Sequence, residues 1–161
     1  MNQLSRRFQL NKVYLAFYKK KRKIIDFQSF YYRIFDDFTC LVTGGIYSHC
    51  ELAIENLGEY NCYSSSNRDG GGVRKKRMEL PLEDWDLIEI THLVNVRDIV
   101  DFYKKTQGKK YDFIGLMSPV LGNLHDDDKY FCSEWCAEAI GVIFPNKYSP
   151  SSLYRYLRKM L

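Results

Sequence analysis

The chain lacks any long apolar run. No stretch approaches the roughly 18 to 20 consecutive apolar residues that are needed to cross a bilayer, so the sequence predicts no transmembrane segment. The first eighteen residues include basic side chains, but they have neither the clean apolar region nor the small-residue cleavage site of a signal peptide. We therefore expect the mature protein to begin near Met1 and to reside in the cytoplasm.

The cysteines lack the even number and the regular spacing of a disulfide framework. There are five of them: Cys40, Cys50, Cys62, Cys132 and Cys136. Free thiols in a reducing compartment are the expectation. Zinc sites usually take ligands in two closely spaced pairs. Cys132 and Cys136 are one pair, four residues apart, and the sequence has no second pair. Adjacent residues of a strand also point to opposite faces, so His49 and Cys50 would not share an ion. The sequence predicts no metal site and no cofactor.

Repeats, low-complexity tracts and Pro- or Ser-rich linkers are also missing, and 161 residues suit one hydrophobic core. We predict a single domain over residues 1–161. The glycines at 70–72 lack the Gly-Lys-Ser/Thr ending of a phosphate loop, and no nucleic-acid-binding motif is present, so we expect no nucleic-acid partner. Basic clusters at 19–23 and 74–77 are typical of solvated faces. If they bind a partner, we expect peripheral contact with an anionic membrane.

Apolar residues make up 45% of the chain and aromatic residues 16%, too many for a disordered protein. Alternation, helical spacing and capping residues predict strands and helices along the chain. The predicted strands are 12–19, 46–54, 60–66, one following the glycines at 70–72, and 86–93; the predicted helices are 26–42, 96–107, 132–143 and 150–160. This order indicates an α+β fold, with a mostly antiparallel sheet packed on one side by helices.

Cys132 is the first residue of a predicted helix with an apolar stripe, which comprises Cys132, Trp135, Cys136, Ala139, Ile140 and Ile143. The first turn of a helix presents unsatisfied backbone N–H groups and the positive end of the helix dipole. These stabilise a thiolate, the nucleophilic form of cysteine. Glu134 in the same turn can bond back to the preceding amides. Taken alone, the segment is explained more simply by a buried structural cysteine.

His49 supplies the base that a catalytic thiol requires. On the predicted strand, Tyr47, His49, Glu51 and Ala53 point one way, while Cys50, Leu52 and Ile54 point the other. A catalytic histidine also needs a third group to hold its ring. Ser64 on the neighbouring strand and Glu51 on the same strand are both candidates for that group.

Four segments together resemble the NlpC/P60 superfamily, and specifically its circularly permuted YiiX/YaeF-like branch, which is related to the lecithin:retinol acyltransferase-like enzymes. In that branch the histidine strand comes first and the cysteine helix near the C-terminus. The segments are the histidine strand GIYSHCELAI at 45–54, GVR at 72–74, YDFIGL at 111–116 and FCSEW at 131–135. Their order and spacing both agree with the family pattern.

The resemblance implies a circularly permuted papain-like fold, with Cys132 as nucleophile and His49 as base. It puts a polar orienting group on or near Ser64, and it matches Tyr111 to a tyrosine that helps to form the oxyanion site. The implied activity is a thiol hydrolase or peptidase that cleaves an amide, ester or thioester of a peptide, isopeptide or lipid substrate. The alternatives are an acyltransferase of the lecithin:retinol acyltransferase-like type and a non-catalytic protein that binds a peptide or lipid in the same cleft.

Overall fold

A computed structural model describes residues 11–19, 25, 27, 36–41, 44–68, 70–112 and 128–161. Within these ranges the fold is α+β and is built on a five-stranded antiparallel sheet. The strands are β1 (Val13–Tyr18), β2 (His49–Asn56), β3 (Glu59–Ser66), β4 (Gly72–Met78) and β5 (Trp85–Glu89), in the spatial order β4-β3-β2-β1-β5. The α+β class and the antiparallel sheet predicted from the sequence are confirmed.

Three helices with described bounds, a helical segment at 36–41 and a second, small sheet belong to the described fold. The helices are α1 (Val96–Thr106), α2 (Cys132–Ala139) and α3 (Pro150–Met160), with a 3-10 turn at Pro145–Lys147. Strands β6 (Lys110–Tyr111) and β7 (Lys129–Tyr130) pair in parallel just before α2. Asn95 caps α1 by accepting a hydrogen bond from the Arg97 N–H at 2.9 Å, and Ser149 caps α3. In the part of the chain that is described, no helix combines the length and the apolar character that a membrane crossing requires.

The two faces of the sheet carry different packing. Val13, Leu15 and Phe17 of β1 point to the larger cluster, which also contains Leu52 of β2 and the buried residues of the three helices. Ala16 lies in the smaller cluster on the other side of the strand. This alternation has the period of two that a strand imposes. The helices therefore pack against one face of the sheet, as predicted.

Tyr47 does not follow the predicted alternation. The predicted strand began at residue 46, but β2 begins at His49, so Tyr47 precedes the pleat and is free to turn to the other side. Its ring packs in the larger cluster, with centroids 5.4 Å from Phe17 and 4.7 Å from Tyr154. Its N–H donates to the Ser151 hydroxyl at 3.1 Å. The prediction that Cys50, Leu52 and Ile54 point to one face is confirmed, since all three lie in the larger cluster.

Two predicted elements end earlier than expected. Helix α2 stops at Ala139 because Gly141 adopts a left-handed φ of 77°, so Ile143 lies outside the helix and is 75% exposed. Its assignment to the buried apolar stripe was wrong. Strand β5 stops at Glu89, after which residues 91–93 form a turn.

The predicted helix 26–42 falls largely outside the described residues, but residues 36–41 are helical. Their buried side chains are the polar Asp36 and Thr39, whereas Leu41 is 80% exposed. Arg68 Nη2 donates to both carboxylate oxygens of Asp36, each at 3.3 Å. Periodicity predicted a helix here, and its described part buries a polar side that carries this ion pair.

Gly72 at the start of β4 is expected to be intolerant of any side chain. Its φ is 141°, and an added Cβ would lie 2.2 Å from the backbone oxygen of Lys109. We expect Gly72→Ala to lower the free energy of unfolding by about 3 kcal/mol, from backbone strain and overpacking together. Gly71→Ala is the matched control because its Cβ would meet nothing within 4 Å at a φ of 74°, leaving only a cost of about 1 kcal/mol. Equal losses in urea unfolding would contradict the role of the close contact.

Candidate active site

His49 and Cys132 meet where their two elements begin. His49 is the first residue of β2 and Cys132 is the first residue of α2. Their side chains are close enough for each to shift the pKa of the other through charge and hydrogen bonding. The histidine side chain is 12% exposed and Cys132 is 1% exposed. The two residues that the sequence selected as base and nucleophile are therefore in direct contact, at the edge of the protein interior.

The first turn of α2 is arranged as predicted for a reactive thiol. Glu134 is buried in this turn, and its Oε2 accepts a hydrogen bond from the Phe131 N–H at 3.4 Å. The helix is anchored from behind by Trp135, whose indole N–H donates to Thr106 Oγ1 of α1 at 2.9 Å. Since the amides of the first turn lack partners within the helix, the sulfur at its start lies in a region of positive potential.

The pKa of Cys132 is lowered well below its ordinary value. Burial acts in the opposite direction and would raise it. The hydrogen bond from the Cys50 thiol, the positive charge of His49, the hydrogen bond with His49 and the hydrogen bond from the Cys50 backbone N–H together outweigh burial. The sum of these contributions favours the thiolate over the neutral thiol.

His49 is held on its far side by Glu51. The distance from His49 Nε2 to Glu51 Oε1 is 2.8 Å, which leaves Nδ1 as the nitrogen for the thiol. The ring of Trp85 lies edge-on to the imidazole, with centroids 6.4 Å apart. Burial lowers the pKa of His49, but the charge of the Cys132 thiolate, the hydrogen bond with that thiolate and the contact with Glu51 raise it to about 9. Both shifts favour the charged pair of a thiolate and an imidazolium.

Glu51 is itself held by Arg74 of β4. Arg74 Nη1 donates to Oε2 at 2.7 Å and Nη2 to Oε1 at 2.5 Å, which is a bidentate pair. The Glu51 side chain is 1% exposed and the Arg74 side chain 16%. Burial would raise the pKa of Glu51, but the charge of Arg74 and the bonds to His49 and Arg74 lower it to about 2. Glu51 stays ionised and fixes the imidazole.

Ser64 does not have the orienting role that the sequence suggested for it. Its hydroxyl donates to the backbone carbonyl of Cys50 at 2.8 Å and approaches the carbonyl of Ser65 at 3.2 Å. Of the two candidates for the third group, Glu51 contacts His49 and Ser64 supports the backbone one residue further along β2. The reason is geometric: Glu51 lies two residues along the same strand face, which brings its carboxylate beside the ring.

Tyr111 of β6 is buried next to the pair. Burial first, and then the negative charge of the Cys132 thiolate, raises the pKa of Tyr111 well above its ordinary value. The phenol therefore keeps its proton and remains a hydrogen-bond donor. Asp36 raises the pKa of Tyr111 and Arg68 lowers it. The ion pair of these two residues, and with it the helical segment 36–41, therefore lies within electrostatic reach of the site.

A cavity of about 290 Å³ adjoins the residue before His49. It is lined by Lys19, Asp36, Asp37, Cys40, Gly45, Ile46 and Ser48. Lys19 Nζ is tied to Asp86 at 2.6 Å, and Asp86 in turn accepts from the Tyr47 hydroxyl at 2.5 Å. A larger cavity of about 520 Å³ lies between α1 and the end of α2 and contains neither member of the pair.

Sequence reasoning missed two residues of the site. Arg74 was grouped with the exposed basic cluster, but it points inward to Glu51 while Lys75, Lys76 and Arg77 remain exposed. Cys50 was assigned only to the apolar face of β2, although it also contacts the Cys132 sulfur. The presence of Arg74 in the GVR segment of the family pattern was the one available signal for its role.

In the part of the chain that is described, none of the five cysteines forms a disulfide. Among the described residues, no group of three or more histidine, cysteine or acidic side chains has the arrangement of a metal site. No protein-family model matches the chain, and no curated protein matches it either.

Proposed function

We propose that this chain is a cysteine hydrolase with a circularly permuted papain-like fold, which cleaves an amide, ester or thioester bond of a peptide or lipid substrate. The observation that carries the proposal is the proximity of Cys132, at the start of α2, to His49, at the start of β2, with the pKa of the thiol lowered and that of the imidazole raised. A thiolate beside an imidazolium has both the nucleophile and the acid that acyl transfer requires.

In the proposed reaction the Cys132 thiolate attacks the carbonyl carbon, and a C–S bond forms as the carbonyl electrons move to oxygen. The backbone N–H of Cys132 and the Tyr111 hydroxyl donate to this oxyanion. The intermediate collapses, the bond to the leaving group breaks, and His49 gives that group its proton. The neutral His49 then removes a proton from water, which attacks the thioacyl-enzyme and releases the acid and the Cys132 thiolate.

Three further features support the family assignment. The histidine begins β2, the GVR segment begins β4, and the cysteine begins α2, so three of the four resembling segments start a regular element. Glu51 and Arg74, from two of those segments, hold His49 in turn. Of the remaining segment, Tyr111 and Asp112 are described and Tyr111 adjoins the pair, while residues 113–116 lie outside the described ranges.

The proposal is tested by alkylating the protein with iodoacetamide at pH 6 and mapping the modified peptides. We expect Cys132 to react at least about tenfold faster than an ordinary thiol, which is mostly protonated at this pH. Equal rates at all five cysteines, or an unreactive Cys132, would contradict the proposal.

A second measurement separates an enzyme from a binding protein. Incubation with p-nitrophenyl acetate should add one acetyl group to Cys132, visible by intact mass and peptide mapping, and Cys132→Ala should remove it. Cys62→Ala is the matched control, because Cys62 is equally buried but lies in the smaller cluster. Selective alkylation without any acylation would instead favour the non-catalytic binding protein.

A further inference from the structure

Cys50 lies where the pairing of β2 with β3 has already ended. The register between the two strands runs from Leu52–Tyr63 to Asn56–Glu59, so Cys50 is beyond its last pair. On the other side Cys50 still pairs with Phe17 of β1. Its side chain is fully buried in the larger cluster, on the face where α2 packs. The gap in the ladder leaves backbone groups of Cys50 to be satisfied by side chains.

Two side chains hold the carbonyl of Cys50. The Ser64 hydroxyl donates to it at 2.8 Å, and the Cys136 thiol donates to it at 3.8 Å. Ser64 belongs to β3 and Cys136 to the second turn of α2, so this carbonyl ties the end of the ladder to the nucleophile helix. The backbone of Cys50 is thereby fixed relative to Cys132.

The remaining donors of Cys50 both act on Cys132. The Cys50 thiol and the Cys50 backbone N–H each lower the pKa of the Cys132 thiol as hydrogen-bond donors, and the fixed backbone of Cys50 keeps them beside the nucleophile helix. A buried thiolate needs such donors, because burial without them would favour the neutral thiol. Hydrogen bonds to a charged acceptor are also stronger than those between neutral groups. One residue thus supplies two donors to the reacting atom.

We propose that Cys50 is a positioning residue for the nucleophile: its thiol and backbone N–H hold the Cys132 sulfur beside His49 and stabilise its negative charge. This inference rests on the proposed function and adds a residue to that same site. Burial, followed by the hydrogen bonds with Cys132 and Cys136, keeps the pKa of the Cys50 thiol well above its ordinary value, so Cys50 remains a donor.

The test is the pH dependence of Cys132 alkylation by iodoacetamide in the full chain, followed by peptide mapping. Cys50→Ala and Cys50→Val remove the thiol donor and keep the backbone N–H, and valine also fills most of the lost volume. Cys50→Ser keeps a shorter donor. Cys62→Ala is the control, since it removes another buried thiol from the same sheet. Other groups that act on or near Cys132, namely His49, Tyr111 and Cys136, stay unchanged.

We expect the pH midpoint of Cys132 alkylation to rise by about one unit in Cys50→Ala and Cys50→Val, so that the rate at pH 6 falls about tenfold. Cys50→Ser should lie between these variants and the wild type, and Cys62→Ala should match the wild type. If Cys50→Ala fails to fold, Cys50→Val decides the question. Midpoints in the non-donor variants equal to that of Cys62→Ala would overturn the role of Cys50 alone. An ordinary thiol midpoint in the wild-type protein would overturn the proposed function itself.

Discussion

His49→Ala is expected to slow the acylation of Cys132 by about 10²–10⁴-fold, the usual contribution of a general acid or base. The variant loses the positive charge that helps to keep Cys132 ionised and the proton that the leaving group needs. The measurement is the rate of acetyl transfer from p-nitrophenyl acetate to Cys132, followed by intact mass. We expect Cys132 alkylation at pH 6 to fall in the same variant, because less of the sulfur is then thiolate.

The matched control for this substitution is His92→Ala. His92 lies in the turn after β5 and is exposed, so its removal should leave both rates unchanged. A fall of equal size in His92→Ala, or no fall in His49→Ala, would show that His49 is not the base.

The same pair predicts two different pH profiles in the wild-type protein. The pKa of His49 is raised to about 9, so the imidazolium persists up to that pH and loses its proton above it. Turnover that needs this proton should therefore decline above pH 9. Alkylation by iodoacetamide needs only the thiolate, so it should show no decline there. If turnover declines above pH 9 while alkylation does not, the decline comes from His49 and not from unfolding.

The parts of the fold that the sequence predicted best are those with strong local signals. The β-branched and aromatic residues of 12–19 and the cap Asn95 of α1 predicted both elements to within one residue of their observed bounds. Such signals depend on nearest neighbours in the chain. Tyr47 and Ile143 were misplaced because each lies just outside an element, where a pattern extended by a few residues no longer constrains the side chain.

The sequence allowed the pair of Cys132 and His49 to be predicted, but not the residues that hold this pair in place. Cys132 and His49 were selected by a helix start, a strand face and the resemblance of four segments to one family. The resemblance favoured Ser64 over Glu51 as the third group. Choosing between them correctly needs the position of the side chains across the sheet. Arg74 reaches Glu51 only because β3 and β4 pair with Ser64 opposite Arg74. No local pattern encodes that register, so a buried cation was taken for part of an exposed cluster.

Cys50 illustrates a different limit. Adjacent strand residues point to opposite faces, which argues against a shared metal ion for His49 and Cys50. Both nevertheless act on the Cys132 sulfur, because α2 begins beside the start of β2, where β2 is not paired with β3. The alternation rule describes side chains along a paired strand and does not include the backbone N–H, which lies in the plane of the sheet.

Arg74→Ala is expected to have the largest effect on stability, a loss of about 3–5 kcal/mol of unfolding free energy at pH 7. The variant leaves the Glu51 carboxylate 1% exposed without its guanidinium. For a chain of this length that corresponds to a melting temperature lower by about 10 °C. Arg77→Ala is the matched control on the same strand, because Arg77 is 60% exposed and pairs with Glu59 at the surface. Its expected cost is about 0–1 kcal/mol.

The pH dependence of this loss follows from Glu51. In the fold its pKa is lowered to about 2 from 4.5, so its stabilising contribution is complete above pH 4.5 and is lost as the pH falls towards 2. In Arg74→Ala the pKa of Glu51 rises, so protonation relieves the buried charge sooner. The gap in unfolding free energy between the wild type and Arg74→Ala should therefore narrow between pH 5 and pH 2, as urea unfolding can measure. Two results would contradict this role of the buried pair of Arg74 and Glu51. One is a gap in unfolding free energy that stays constant over this pH range, and the other is a gap equal to that for Arg77→Ala.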